Sequence, residues 1–168
     1  AIVERVRSYA KGTRSERVSS EVSELVNKAV REFKRQSGER VEVWVLQEQP
    51  VYIIVNPLEF ELVIINLLRN AAQALQELGA LNPKVALTIK REDNKALIAI
   101  EDNGHIEKEK IEKLSEPTNS TKADGLGLGL QIVRSIIENH GGKIFFSQAD
   151  SGGLRVEIRL PAEETTEQ

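Results

Sequence analysis

The stretch GLGLGLQIVRSIIENHGGKI, residues 125–144, alternates three glycines with leucines and then runs straight into an apolar helical pattern. Glycine at a helix start costs stability, so Gly125, Gly127 and Gly129 need a reason. One reading is a hinge, or a helix packed closely against a neighbour. The other is a phosphate cradle, because bare backbone N–H groups and the positive end of a helix together attract anions. The stretch lacks the Gly-Lys-Ser/Thr ending of a P-loop, and it does not follow a strand as a dinucleotide-binding turn would. Those two nucleotide folds are excluded, and the rest of the chain has to choose between hinge and cradle.

Working outward, residues 115–125 read as a loop rich in Ser, Thr and Pro, and Gly141-Gly142 closes the helix. KIFFSQ and LRVEIRLP then form a final hairpin. Upstream, KVALTIKRE and KALIAIED pair around Asp93-Asn94, and residues 107–114 form a short charged helix. A long helix starts at Asn56-Pro57, with Asn56 as N-cap and Pro57 at the first helical position, and stops at Gly79. VEVWVL and VYIIV, separated by QEQP, read as a hairpin or adjacent strands. A helix spans Glu21 to about Gln36, and TRSERVSS before it is a polar linker with a short edge strand. AIVERVRSYAKG places Ile2, Val3, Val6 and Tyr9 on one helical stripe. Strand pairs interleaved with three sizeable helices predict a two-layer α/β sandwich, its helices on one face of a mostly antiparallel sheet of about five strands.

Composition sets limits. At 168 residues, with 40% apolar and 29% charged side chains, the chain is sized for one globular domain. A net charge of −3 argues against nucleic acid or an anionic membrane surface as the main partner. One Trp, two Tyr and four Phe are too few for a base-stacking platform. Without cysteine there is neither a disulfide nor a thiolate metal site, which suits a reducing compartment, and two histidines do not make a metal cluster. No apolar run reaches membrane-spanning length. The absence of Met, even at position 1, reads as a segment of a longer protein.

Three constellations carry chemistry. In EFELVIINLLRNAAQALQE, residues 59–77, Asn66, Asn70, Gln73 and Glu77 share one helical stripe beside an apolar face of Val63, Ile64, Leu67, Leu68, Ala71 and Ala74. A solvated stripe would normally carry Glu, Lys or Gln. Two asparagines one turn apart point to neutral oxygens aimed at a ligand or a hydrated Mg²⁺. In IAIEDNGH, Asn103-Gly104 is first of all a turn signal, yet the helical period of IEKEKIEKL shows that the chain leaves the sheet here. Asp102 then stands at a strand end, with Gly104 letting a flat ligand approach, and its carboxylate suits an exocyclic amine such as that of adenine. In SEPTNSTKADGLGLGL, a polar loop leads into the glycine-rich helix start. Ser120, Thr121 and Lys122 fit either ordinary loop polarity or a lid over phosphates with Lys122 as cation. His140 reads as a helix-end residue.

In this order the blocks resemble the ATP-binding catalytic domain of sensor histidine kinases, in the GHKL ATPase superfamily. NLLRNAAQAL is similar to the N box, EDNG to the first glycine box, SEPTNSTK to the segment between boxes, and DGLGLGLQIVRSIIENHGGKI to the second glycine box. The resemblance covers about Val18 to Pro161. It implies a catalytic domain over residues 14–162 with an ATP lid, the end of a dimerisation-domain helix over 1–13, and a frayed tail over 163–168. It also implies ATP and Mg²⁺ as cofactors, with Asn70 as the metal asparagine and Asn66 its partner. Asp102 would read adenine with Gly104 beside the base. Gly125, Leu126, Gly127, Leu128 and Gly129 would line the phosphates, joined by Gln73, Ser120, Thr121 and Lys122.

The implied activity is transfer of the γ-phosphoryl to a histidine on a separate domain, in a cytoplasmic, homodimeric sensor that signals to a response regulator. Neither His105 nor His140 lies where the family's acceptor would be. The alternatives are a GHKL-type ATPase and a nucleotide-binding or partner-docking module without kinase activity. The departures are specific. DNGHIEKEK lacks the second glycine of Asp-x-Gly-x-Gly, and Ser115, Thr118 and Asn119 replace lid-side Phe. Gln73 stands where a basic residue is common, and Leu154 where a Thr is. Phosphate charge would then fall to Mg²⁺, Lys122 and Arg69.

Overall fold

The computed structural model describes residues 16–38, 40–116 and 127–164, with backbone only at 127 and 128. The stripe at Ile2–Tyr9 and the domain boundary at residue 13 therefore lie outside the described residues. So do Ser120, Thr121, Lys122, Gly125 and Leu126 of the proposed lid.

Alternation of apolar and polar residues builds the sheet. Strands β2 (Glu42–Gln47), β4 (Lys84–Glu92), β5 (Lys95–Asp102), β7 (Leu154–Pro161) and β6 (Lys143–Gln148) lie side by side in that order. All neighbours are antiparallel except β2 and β4, which run parallel. The turn between β4 and β5 is at Asp93-Asn94 as expected, with Asp93 at φ 54°. Ile98, Ile100, Val156 and Ile158 point inward and are buried, because every second residue of a strand faces the same side.

The expected pairing of VEVWVL with VYIIV is wrong. β3 (Tyr52–Val55) pairs with β1 (Val18–Glu21) in a separate two-stranded sheet. β2 instead joins β4 in parallel, a pairing that needs a long crossover and uses the following helix as one.

Helix α1 (Val22–Ser37) buries Val22, Val26, Ala29, Val30 and Phe33, one face at helical spacing. The long helix α2 (Pro57–Leu78) is capped as expected: Asn56 Oδ1 accepts the Glu59 N–H at 3.1 Å, and Gly79 adopts the left-handed conformation. Helix α3 (Lys108–Ser115) packs on β6, and α4 (Gly127–Asn139) lies against α2 and β6. The helices cover one face of the five-stranded sheet. The other face is open, with Trp44, Leu46 and Phe145 partly exposed. None of the described helices is long and apolar enough to cross a membrane. At the chain end, the Glu163 N–H donates to the Tyr52 carbonyl at 2.8 Å, so this first residue of the expected tail is tied to β3.

His140 staples α2 to α4. It is buried, its Nδ1 lies 2.8 Å from the Ile136 carbonyl, and its Nε2 accepts the Asn56 N–H at 3.2 Å. Both contacts are made by the tautomer with its proton on Nδ1. His140→Leu removes the acceptor of a buried N–H and is expected to lower unfolding free energy by about 1–3 kcal/mol in urea titrations. An unchanged midpoint would contradict the staple.

Candidate functional site

The inward phase of β5 runs Ala96, Ile98, Ile100, Asp102, so the last of an otherwise apolar file is a carboxylate. Period two alone sends Asp102 into the space between sheet and helices. Its Oδ1 accepts the Gly104 N–H at 2.9 Å. Burial pushes the Asp102 carboxyl above the usual carboxylate range, opposed by hydrogen bonds from the backbone N–H groups of Gly104 and Leu154.

Neighbouring turns hold this carboxylate in place. Asn103 clamps the loop to the start of β4: its Nδ2 donates to the Asn82 carbonyl at 2.8 Å, and its Oδ1 accepts the Lys84 N–H at 2.9 Å. From the β6–β7 turn, Ser151 Oγ donates to the Asp102 carbonyl at 3.2 Å, and the Gly152 carbonyl accepts the Ile106 N–H at 3.0 Å. Gly153 is packed so tightly on Asp102 that a Cβ there would fall inside van der Waals contact with its carbonyl oxygen and Oδ1, and 2.9 Å from its carbonyl carbon. Sequence reasoning missed Gly153, since nothing local marks it as a neighbour of Asp102.

Asp102 opens on a cavity of about 260 Å³. Leu67, Ala71 and Ala74 of α2 form one apolar wall; Leu130, Phe146, Leu154 and Val156 form the other. Asn70 lines the cavity, as do Gly104, His105, Ile106, Glu107 and Lys110. The asparagine stripe therefore divides. Asn66, one turn earlier, sits beside the start of α4, its Oδ1 3.7 Å from where a Cβ on Gly129 would stand. Gln73 is exposed, donates to Glu77 Oε1 at 3.2 Å and is not part of the cavity wall, nor is the exposed Arg69.

Among the described residues a Cβ at Gly129 would make only ordinary contacts, with the Asn66 side chain, so their packing does not require glycine there.

An apolar cavity with one buried carboxylate can take a flat base carrying an amine. The sequence profile of the family described as "Histidine kinase-, DNA gyrase B-, and HSP90-like ATPase" matches residues 55–164. The chain belongs to this family. Within it, the sensor protein TdiS of Thauera aromatica is 32% identical over 168 residues, covering 95% of this chain and 30% of TdiS. Sporulation kinase B of Bacillus subtilis is 37% identical over 101 residues, covering 60% of this chain and 23% of that protein. The chain thus spans less than a third of either relative. Among solved structures, the catalytic domain of histidine kinase ThkA superposes with a TM-score of 0.73 at 26% identity, covering 87% of this chain and 97% of that one. The fold is the histidine kinase-type ATP-binding domain.

The described residues fit the cofactors of such a domain. No group of three His, Asp or Glu that could hold a metal ion exists among them. A hydrated Mg²⁺ needs no such cage, because one amide oxygen with waters and phosphate oxygens suffices, and Asn70, which lines the cavity, carries such an amide.

Proposed function

We propose that the chain binds Mg·ATP in this cavity and passes the γ-phosphoryl group to a histidine on a separate domain of the same protein. The observation that carries the proposal is the buried Asp102 carboxylate at the end of an apolar slot that Asn70 also lines. Asp102 accepts a hydrogen bond from the adenine amine while Gly104 lets the base approach. The leucine, alanine and valine side chains of the two walls pack on its faces. The glycine-rich start of α4 directs backbone N–H groups and the helix dipole at the phosphates. Asn70, with Asn66 in support, would hold a Mg²⁺ ion, which would supply neutralisation of phosphate charge.

In the transfer, the bond from the γ-phosphorus to the ADP oxygen breaks and a bond to an imidazole nitrogen forms. ADP departs and the imidazole gives up its proton. The domain contributes position and charge stabilisation rather than a proton acceptor. Asn66 cannot act as a base, so water is not activated and hydrolysis stays negligible. A dimeric sensor with a cytoplasmic catalytic part and a response regulator downstream completes the proposal; its sensor role is supported by relatives named sensor histidine kinases.

Incubation with γ-labelled ATP and the acceptor domain is expected to yield a labelled phosphoprotein that is acid-labile and base-stable. Robust ATPase activity without an acceptor, together with no transfer to one, would overturn the proposal in favour of an ATPase.

Metal dependence gives a separate expected result. Asn70→Ala removes the amide oxygen and shrinks the advantage of Mg·ATP over metal-free ATP, with Asn66→Ala showing a smaller effect of the same sign. Calorimetry at matched ionic strength reads this directly. Full retention of the Mg²⁺ advantage in Asn70→Ala would mean that the asparagines are a solvated face.

A further inference from the structure

We propose that Lys110 is the side chain that meets the negative charge of the nucleotide from the wall opposite α2, which rests on the cavity being an ATP site. Among the described lining residues it is the one lysine or arginine. Glu107, Lys110 and Leu114 all line the cavity and fall at i, i+3 and i+7, so one face of α3 is turned toward the ligand space.

That wall is fixed in place. The Ile106 carbonyl accepts from Gln148 Nε2 at 3.1 Å before α3 begins, and the Leu114 carbonyl near its end accepts from Arg134 of α4. Arg134 itself stacks over the Phe146 ring at 5.2 Å. A cation on a helix tied at both ends is held beside the cavity.

The charges around it leave Lys110 available. Glu107 is engaged with His105, Oε1 to Nε2 at 3.3 Å, and no carboxylate among the described residues forms an ion pair with Lys110. The other candidate cation among the described residues, Arg69, is outside the cavity wall, and Gln73 carries no charge and bonds Glu77. The lysine stem can lie along the apolar wall while its ammonium stays at the solvent side, where the phosphates of a base-anchored nucleotide emerge.

Calorimetric titrations of ATP and of adenosine into the wild type, Lys110→Ala, Lys110→Glu and Lys110→Arg test this. An exposed cation paired with phosphate predicts that Lys110→Ala weakens ATP about 3- to 15-fold. Lys110→Glu should weaken it further, and Lys110→Arg should hold it within about 2-fold, with adenosine affinity unchanged throughout. Unchanged ATP affinity in Lys110→Glu would overturn the proposal and make Lys110 a solvated rim residue. An equal loss for ATP and adenosine would overturn it too and leave only a packing role. A wild type that binds neither ligand would instead overturn the ATP-site reading beneath it.

Discussion

Asp102→Ala is expected to weaken ATP binding by about 10- to 150-fold, the cost of losing an ionised acceptor for the adenine amine, worth roughly 1.5–3 kcal/mol. The same carboxylate sets a pH dependence. Its folded-state pKa is raised by burial, so between the ordinary carboxylate value and the raised one the folded chain keeps a proton that the unfolded chain has lost. Stability from this group is therefore greatest below that window and falls as pH rises through it, the reverse of a salt-bridged carboxylate. ATP affinity runs the other way, since the ionised form is the stronger acceptor for the amine. Lowering the pH toward the raised value should weaken ATP binding in the wild type before an exposed carboxylate would protonate. In Asp102→Ala that slope should vanish. A mutant with wild-type affinity and the same pH slope would remove Asp102 from the site.

Gly153→Ala is expected to affect binding as severely while leaving every proposed ligand contact chemically intact. The added Cβ would occupy the space of the Asp102 carbonyl and Oδ1, and the clash with backbone is not relieved by turning a flexible side chain. β7 or the end of β5 must shift, at a cost of about 1–3 kcal/mol in stability. The displaced carboxylate should lose ATP by about 10-fold or more. Gly152→Ala is the informative neighbour: its Cβ would meet the Gly104 carbonyl at 3.6 Å, an ordinary contact, but its φ of 103° is strained for a side chain. It should cost stability with a smaller loss of affinity. Thermal unfolding and calorimetry on both variants separate the two. Equal ATP affinity in Gly153→Ala and the wild type would show that the tight packing has no part in holding the carboxylate.

Where local chemistry dictates structure, the sequence was readable. Asn56-Pro57 and Gly79 bound α2 at both ends because a cap, a fixed φ and a left-handed residue each act within one turn. The β4–β5 turn followed from Asp93-Asn94, and the inward aim of Asp102 from simple alternation along β5. The partner of a strand is not written in its own alternation, so β2 and β3 read as a pair although each finds its neighbour elsewhere. The site shows the same limit. Asn70 was recognisable as a polar residue in an apolar setting. Asn66 and Gln73 lay on the same stripe, but helical drift and the position of α4 turn them to different surroundings. Lys110 and Gly153 owe their places to contacts between segments far apart in the chain, and their local sequence resembles any charged helix or turn.

The most direct test of the account is a calorimetric titration of the wild-type chain with ATP and with GTP in the presence of Mg²⁺. The buried carboxylate that accepts from an amine predicts that ATP binds and that GTP, which offers a carbonyl at that position, binds at least about tenfold more weakly. Equal affinity for the two nucleotides, or no binding of ATP, would contradict it.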